Sequence, residues 1–368
     1  MRRLQQKNDP LAVIAETPPA FSPEAAVAVL RERYGLTAAV SALVSERDQN
    51  FRVRAENGKQ FVLKIANAAE AAEVTDFQVQ ALLHVAAAIE RDAIPITTPK
   101  IVPTIDGESQ FMMESIAGRH IARLVTFVSG DPLAERIASA GLARNMGAYL
   151  AHLGHALAGF AHAGSGQSLL WDMQQALSLR PLVTHIRGAE LASAVSSALD
   201  EFATYVEPVL GSLRTQVIHS DFNPDNVLTV AGNADKVAGV IDFGDMLRAP
   251  LIIDVGIGAS YLRPPDGDPL RLVAEFVAGY HSVEPLELSE IDILFELIQA
   301  RLCASIAILD WRATVRGSDD PYLEKLIRGE ASAGRFLCRL RAVPRTNARQ
   351  VFRQVCASTP AVRRQRMD

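Results

Sequence analysis

Several polar residues stand between two short apolar stretches in the middle of the chain. The segment is "VIHSDFNPDNVLTV", from Val217 to Val230. Apolar strands would explain "VI" and "VLTV", but polar side chains are costly to bury unless they have partners. Acids, amides and an imidazole are crowded together here: His219, Asp221, Asn223, Asp225 and Asn226. This combination predicts a loop that lines a site for charged partners.

The spacing of Asp221, Asn226 and Asp242 favours a metal-assisted reaction. Each residue is next to a strand-like stretch, so the three side chains are predicted at one edge of a small sheet. Carboxylate and amide oxygens, with water and substrate phosphates, suit Mg²⁺. A carboxylate that is free of the metal can orient a hydroxyl and take its proton. The alternative interpretation is a set of turn formers and caps, which accounts well for Asn223-Pro224-Asp225.

The elements before Gly118 are predicted to form a small sheet with two helices. "SPEAAVAVLRERYGL" reads as a helix with Ser22 as its N-cap and Gly35 at its end. Three strands follow in "AAVSALVSERDQNFRVRAENGKQFVLKIAN", with a hairpin signal at Asn57-Gly58. "EVTDFQVQALLHVAAAI" has the apolar spacing of a helix. Two more strands are predicted around the turn Asp106-Gly107.

Long helices are predicted after Gly118, with short strands beside the polar loop. "ARNMGAYLAHLGHALAGFAHAG" and "AELASAVSSALDEFATYVEPVLGSL" are two of the helices. Gln216–Ile218, Val227–Val230 and "VAGVIDFGD" are the strand-like pieces, and the chain is again helical from about Leu251.

The bulk properties indicate a globular protein of two lobes. The chain has 368 residues, more than one core usually fills. The net charge of −5 gives no electrostatic basis for nucleic-acid binding. No apolar run reaches the roughly 18–20 residues of a membrane span. The cysteines are few and not in metal-binding spacing, which fits a reduced cytoplasmic protein; they are Cys303, Cys338 and Cys356. The sequence does not predict an oligomeric state.

The motifs lead to a family resemblance. H-x-D-x-x-x-x-N, here "HSDFNPDN", followed by a strand that ends I-D-F-G, here "GVIDFGD", resembles the signature of the protein-kinase-like fold. This version resembles the aminoglycoside phosphotransferase and choline/ethanolamine kinase family. "SERDQNFRV", "LLWDM" and "GVIDFGDM" are most similar to its hydroxylysine-kinase-type branch. The similarity spans roughly residues 25–315.

The resemblance implies an α+β, bilobal protein-kinase-like fold. Its N-lobe would be a small antiparallel sheet and its C-lobe mainly helical. The implied divisions are an N-terminal arm over residues 1–20, a nucleotide-binding N-lobe over 21–118, a catalytic and substrate-binding C-lobe over 119–343, and a basic C-terminal tail over 344–368.

The resemblance also assigns roles in the polar loop. Asp221 resembles the catalytic aspartate, and Asn226 and Asp242 resemble the Mg²⁺ ligands. His219 corresponds to a residue that braces the loop. Asp254 resembles a buried aspartate that ties the catalytic loop down. Asp245 is expected either to lie next to the metal ligands or to face the substrate, and both alternatives are kept.

The nucleotide, ATP or GTP, is expected to contact the N-lobe. Lys64 matches the strand lysine that holds the α- and β-phosphates. The phosphate-covering loop "SERDQNF" departs from the kinase pattern because it contains no glycine. Its predicted contacts come from Ser45, Arg47 and Asn50, although each residue is nearly as well explained by an ordinary turn. Glu114 and Ile116 are predicted in the hinge between the lobes, where an edge strand is the alternative. The acid that pairs with Lys64 is left open among Glu73, Asp76 and Gln78.

The acceptor is expected to be a small alcohol that carries an amine, with a hydroxylysine-like amino alcohol favoured. Tyr261, Asp310 and Trp311 are candidates to recognise the ammonium group, although a solvated or half-buried helix residue is the favoured explanation for each one. The leading hypothesis is a small-molecule kinase that moves the γ-phosphate to a hydroxyl. The alternatives are a catalytically silent nucleotide-binding module and an aminoglycoside-modifying phosphotransferase.

Overall fold

A computed structural model describes residues 18–45, 47–116, 118–135, 138–316 and 321–360. The chain divides into two compact units. The first unit contains the described residues up to Ala93, together with Thr97–Ser129 and Phe160–Leu170. The second contains Ile94–Ile96, Gly130–Gly159 and the described residues from Trp171 onward.

The first unit begins with helix α1 (Pro23–Tyr34), and both of its predicted ends are confirmed. The Ser22 hydroxyl accepts a hydrogen bond from the Ala25 N–H at 3.2 Å, which satisfies a free amide of the first turn. Gly35 ends the helix at φ 63°, in the left-handed region that favours glycine. The other long helix of this unit is α2 (Ala72–Asp92).

A six-stranded antiparallel sheet forms the rest of the first unit. Its strands run in the order β1-β2-β3-β6-β4, and β5 pairs with β6. Alternate side chains of the central strands pack on α1 in a core that includes Leu30, Phe51 and Leu124. The strands are β1 (Ala38–Leu43), β2 (Gln49–Ala55), β3 (Gln60–Ile65), β4 (Ile101–Val102), β5 (Phe111–Ser115) and β6 (Gly118–Thr126).

The first unit extends beyond the boundary predicted at Gly118. That glycine begins β6, which pairs with β3 in the middle of the sheet. β6 is buried on both faces in its middle, where four consecutive residues, Ala122–Val125, are each at most 4% exposed. The chain passes to the second unit at Ser129–Gly130.

The second unit is mainly helical, as predicted, with two small antiparallel sheets. One sheet has the order β10-β9-β7, and the other pairs β11 with β8. Its strands are β7 (Asp131–Pro132), β8 (Thr215–Ile218), β9 (Val227–Val230), β10 (Asn233–Val240) and β11 (Leu247–Pro250). Its α-helices are α3 (Ala140–Leu157), α4 (Ala189–Tyr205), α5 (Glu207–Leu210), α6 (Leu251–Ser260), α7 (Arg271–Val283), α8 (Leu288–Ile291), α9 (Leu294–Arg316), α10 (Pro321–Glu330), α11 (Ala333–Arg341) and α12 (Arg345–Ser358).

Helices α3 and α7 pack unusually closely because glycines lie at their contact. A Cβ added at Gly147 would lie 1.9 Å from the Phe276 carbonyl oxygen. One added at Gly279 would lie 1.9 Å from the Arg144 carbonyl oxygen. The two backbones can therefore approach each other only without side chains at these positions.

The basic segment after Pro344 is a helix that ion pairs hold on the second unit. The Arg345 guanidinium donates to Glu296 at 2.7 Å, and Arg349 and Arg353 both pair with Asp292. Most of the predicted N-terminal arm and the last eight residues lie outside the described residues. Within the described part of the chain, no helix is both long and apolar enough to span a membrane.

Candidate active site

Asp221 lies in the loop between β8 and β9, and two amides hold its carboxylate. Ser220 has a φ of 63°, so the chain turns sharply just before Asp221. The Asn226 side-chain N–H donates to Asp221 Oδ2 at 2.7 Å and to the Asp221 carbonyl at 3.0 Å. The Asn223 side chain donates to Asp221 Oδ1 at 2.8 Å. Both carboxylate oxygens are therefore oriented by neutral donors on the same loop.

His219 connects this loop to the loop that follows β10. Its Nδ1 accepts from the Asp221 N–H at 3.3 Å, so the ring proton is on Nε2, which donates to the Ile241 carbonyl at 3.2 Å. Phe243 packs against the ring edge-to-face, with centroids 5.0 Å apart. Burial lowers the pKa of His219 to about 4, so the imidazole is neutral near pH 7.

Asp254, on the first turn of α6, holds the backbone of the same loop through its carboxylate. Its carboxylate accepts from the Ser220 N–H at 2.7 Å and from the His219 N–H at 2.9 Å. Burial raises the pKa of this carboxyl to about 7, and the two backbone hydrogen bonds oppose that rise. These bonds are the contacts expected of a residue that ties down the loop.

Asn226 and Asp242 are held near each other by a backbone hydrogen bond. The Ile241 N–H donates to the Asn226 carbonyl at 2.9 Å, which joins the two loops directly. Asp242 has a φ of 61°, and its Oδ1 accepts from the Gly244 N–H at 3.3 Å. Because the Asn226 side-chain amide donates to Asp221, its remaining polar atom is an oxygen, the hard ligand type that a divalent cation prefers.

Several negative charges act on this region together. Burial, then Asp245 and Asp242, raise the pKa of Asp221 to about 7, and the guanidinium of Arg301 opposes them. Three carboxylates facing one arginine fit the binding of a cation. In the described residues, no group of three or more His, Cys, Asp or Glu side chains is arranged as a metal cage. A mixed amide and carboxylate pair, completed by phosphate oxygens and water, is instead the donor set typical of Mg²⁺.

The structure adds a cluster beside Asp221 that the sequence did not predict. Arg301, from α9, has 4% of its side chain exposed, and its Nη2 lies 3.6 Å from Asp221 Oδ1. The same nitrogen donates to the Tyr261 hydroxyl at 2.9 Å. The indole of Trp171 lies against the guanidinium, with the ring centroid 4.9 Å from Cζ. The signal in the sequence was a single arginine in the apolar run of α9, which by itself resembles a surface residue.

Lys64 lies half-buried on β3, between Asn50 on β2 and Arg123 on β6 in the sheet register. Ser45, Arg47 and Asn50 are also half-buried, in or next to the β1–β2 connection.

Hydrogen bonds from Asn67 shape this glycine-free connection. The Asn67 N–H donates to the Asp48 side chain at 3.2 Å, and its side-chain amide donates to the Arg47 carbonyl at 3.1 Å. The connection is therefore tied to the end of β3 without glycine. These residues belong to the first unit, whereas the loop of Asp221 belongs to the second.

Two of the three candidates to pair with Lys64 are engaged elsewhere. The Asp76 carboxylate accepts from His162 Nε2 at 3.1 Å. The Gln78 side chain is buried and accepts from the guanidinium of Arg123. Glu73 is exposed near the start of α2. None of the three is therefore assigned as the partner of Lys64.

The position predicted for Glu114 and Ile116 is corrected. Both lie at the tip of the hairpin between β5 and β6, where Ile116 is fully exposed. The segment that leads from the first unit to the second begins after β6, at Phe127–Gly130. The prediction was wrong about the hinge because β6 was not recognised as a strand, so the argument for nucleotide contacts at these two residues no longer holds.

The three predicted acceptor residues lie in different places. Tyr261 is beside Asp221 through its bond to Arg301. Asp310 lies nine positions after Arg301 on α9, about 13 Å along the axis and on the opposite face. It accepts from the Arg187 N–H at 3.2 Å and lines a cavity together with Leu191 and Leu309. Trp311 follows it and is half-buried. The structure therefore brings only Tyr261 to Asp221.

Comparisons with known proteins find similar sequences among phosphotransferases and kinases. The model of the "Phosphotransferase enzyme family" matches residues 40–291. Hydroxylysine kinase of Danio rerio is 27% identical over 319 residues, which cover 84% of this chain and 89% of that protein.

Solved structures show the fold. A microcompartment-associated aminopropanol kinase aligns with a TM-score of 0.65 at 19% identity, covering 85% of this chain and 95% of that one. An amicoumacin kinase in complex with AMP-PNP and Ca²⁺ aligns with a TM-score of 0.60 at 14% identity, covering 91% and 96%. The fold class predicted from the sequence is confirmed.

Proposed function

Because the chain belongs to the phosphotransferase enzyme family and is a small-molecule kinase with a hydroxyl acceptor, we propose that it transfers the γ-phosphate of ATP or GTP to a hydroxylysine-like amino alcohol. The observation that carries the proposal is the loop of Asp221, whose carboxylate is oriented by Asn226 at 2.7 Å beside Asp242. The similarity to a hydroxylysine kinase over 84% of the chain supports the acceptor class.

In this proposal, Asp221 orients the acceptor hydroxyl and takes its proton. Burial and the neighbouring Asp245 raise the pKa of Asp221, and a general base works best when its pKa is near the working pH. His219 is neutral and bonded on both sides, so it positions Asp221 and does not exchange protons. Asp254 fixes the backbone that carries both residues.

Asn226 and Asp242 would hold Mg²⁺, which neutralises phosphate charge when it is bound. Lys64 on β3 would contact the α- and β-phosphates, and the backbone of the β1–β2 connection would add N–H donors. Phosphoryl transfer requires a protein to position the reacting groups and to stabilise the charge on the phosphate, and the proposed residues would do both. The three cysteines are free thiols, which supports a reducing compartment such as the cytoplasm.

The test is nucleotide consumption with a panel of acceptors: 5-hydroxylysine, homoserine, ethanolamine, choline and aminoglycosides. Asp221→Asn keeps the size of the side chain but removes the base, so we expect turnover to fall by about 10²–10⁴-fold. Asp225→Asn makes the same change at an exposed position of the same loop and should leave turnover almost unchanged.

Equal turnover by wild type and Asp221→Asn would remove Asp221 from the mechanism. Consumption with aminoglycosides alone would replace the proposed acceptor by an antibiotic. Binding of nucleotide that is indifferent to Mg²⁺, with no transfer to any acceptor, would contradict the kinase proposal itself.

A further inference from the structure

Arg301 is a buried cation next to the proposed catalytic base. Its side chain is 4% exposed, and its Nη2 donates to the Tyr261 hydroxyl and lies 3.6 Å from Asp221 Oδ1. A buried charge needs an opposite charge and hydrogen bonds to offset the loss of water. Two carboxylates act on Arg301: Asp221, which the proposed reaction uses for the acceptor hydroxyl, and Glu330.

Two other nitrogens of this guanidinium have no hydrogen-bond partner in the described part of the chain. They are Nε and Nη1, and both are buried. A guanidinium carries five N–H donors in a planar arrangement and cannot lose its charge in a protein. Buried donors without partners are rare and call for an explanation, such as a ligand that the site is built to receive.

The surroundings of Arg301 are rich in aromatic rings and positive charge. Trp171 lies against Arg301 and also against Arg312, another buried arginine, at 4.9 Å and 5.6 Å from ring centroid to Cζ. Burial acts to lower the pKa of Arg301, but Tyr261 and Asp221 raise it, so the cation is retained. Burial also raises the pKa of Tyr261, so its hydroxyl keeps a proton that it can donate.

We infer that Arg301 and the Tyr261 hydroxyl bind the carboxylate of the acceptor, so that the preferred acceptor is a hydroxy amino acid and not a simple amino alcohol. The inference rests on the proposed function, because it concerns the substrate whose hydroxyl meets Asp221. The planar guanidinium matches a carboxylate in geometry, which an ammonium does not.

The distances suit a short acceptor. The 3.6 Å from Asp221 Oδ1 to Nη2 is followed by the width of the guanidinium, which separates Nη2 from the unpartnered nitrogens. With hydrogen bonds of about 2.8 Å at either end, a hydroxyl at Asp221 and a carboxylate at Nε or Nη1 of Arg301 lie no more than about 12 Å apart. Such a span fits a chain of a few carbon atoms between the two groups. Trp171 would cover the apolar part of that chain.

The first test compares acceptors that differ only in the carboxylate. The pairs are 5-hydroxylysine with 1,5-diaminopentan-2-ol, and homoserine with 3-aminopropan-1-ol. Because hydrogen bonds to charged groups contribute strongly, we expect kcat/KM to favour the acid by about 10- to 100-fold in at least one pair. If the decarboxylated acceptor is used as well or better in both pairs, the inference is overturned.

The second test uses variants of the two buried arginines. Arg301→Gln should abolish the preference for the acid, and Arg301→Lys should retain part of it because the charge remains. Arg312→Gln removes a guanidinium from the same indole and should leave the preference intact. If Arg301→Gln slows both members of a pair equally and the preference persists, Arg301 only orients Asp221 and the inference fails.

A binding measurement separates this inference from the kinase proposal. Lysine and cadaverine lack the hydroxyl, so calorimetry with the full chain compares the carboxylate alone. Tighter binding of lysine to wild type, lost in Arg301→Gln or weakened in Arg301→Lys, supports the inference even if no acceptor is phosphorylated. Phosphorylation without any such difference in binding would support the kinase proposal and overturn the inference.

Discussion

The protonation of His219 offers a sharp test of how the two loops are held together. The ring is buried, accepts from the Asp221 N–H and donates to the Ile241 carbonyl, so it must be neutral to make both bonds. Its pKa is lowered to about 4 by burial, against about 6.5 in an unfolded chain. The folded protein therefore binds fewer protons than the unfolded one between these two pH values.

This difference in bound protons decides whether stability rises or falls with pH. Stability rises with pH wherever the unfolded state binds more protons. The contribution of His219 is thus complete above about pH 6.5 and is lost as the pH falls from about 6.5 towards about 4. The loss amounts to about 1.4 kcal/mol per pH unit in that range, so about 1 kcal/mol is expected to be lost by pH 5.5.

His219→Gln isolates the contribution of His219 to the pH dependence of stability, because glutamine offers an NH₂ donor group and a carbonyl acceptor but does not titrate. We expect the variant to lose about 1 kcal/mol less than wild type between pH 7.5 and pH 5.5, measured by urea unfolding. At pH 7.5 it should be somewhat less stable than wild type, because it gives up the packing of the ring against Phe243. His219→Phe leaves the Asp221 N–H and the Ile241 carbonyl unpaired, at a cost of about 1–3 kcal/mol each.

An equal loss of stability by wild type and His219→Gln over this pH range would refute the reasoning. It would mean that the ring is protonated in the folded protein or is reached by water. Turnover gives a second reading, because a residue that only braces the loop should be replaceable by glutamine with most of the activity kept. A loss as large as that expected for Asp221→Asn would place His219 in the chemistry.

Two further substitutions test the fold and the nucleotide contact. Gly147→Ala should destabilise the protein by about 3 kcal/mol or more, since its Cβ would meet the Phe276 carbonyl oxygen at 1.9 Å and force α3 and α7 apart. Gly211→Ala, where no atom lies within 4 Å, is the control, and equal urea midpoints for the two variants would contradict the packing argument. Lys64→Met should raise the KM for nucleotide and lower kcat by about tenfold or more, as expected for a lost phosphate contact. The same change at the exposed Lys59 should do neither, and nucleotide titrations that cannot tell the two variants apart would remove Lys64 from the phosphate site.

The local elements were predictable because their signals are local. Ser22 and Gly35 mark the ends of α1 by the chemistry of their own side chains, and Asn57-Gly58 turns the hairpin between β2 and β3. β6 was missed because Gly118 looks like a terminator, although that glycine begins a strand whose middle residues are buried in the sheet. That error displaced the predicted hinge from Phe127–Gly130 to the tip of a hairpin.

The sequence by itself determined which side chains lie in the polar loop, and it predicted the chemistry proposed for them, because the types and spacing of Asp221, Asn226 and Asp242 can be recognised along one short stretch of chain. Only the tertiary structure decided which side chains lie next to Asp221. Arg301 is eighty residues further along the sequence, on a helix whose residues near it are buried on every side, so no apolar stripe shows which way that arginine points. The packing of α9 brings it to Asp221, and Tyr261 and Trp171 reach it from two other segments. In our proposal, the identity of the acceptor depends on these contacts between distant segments, which the order of residues does not encode in any local pattern.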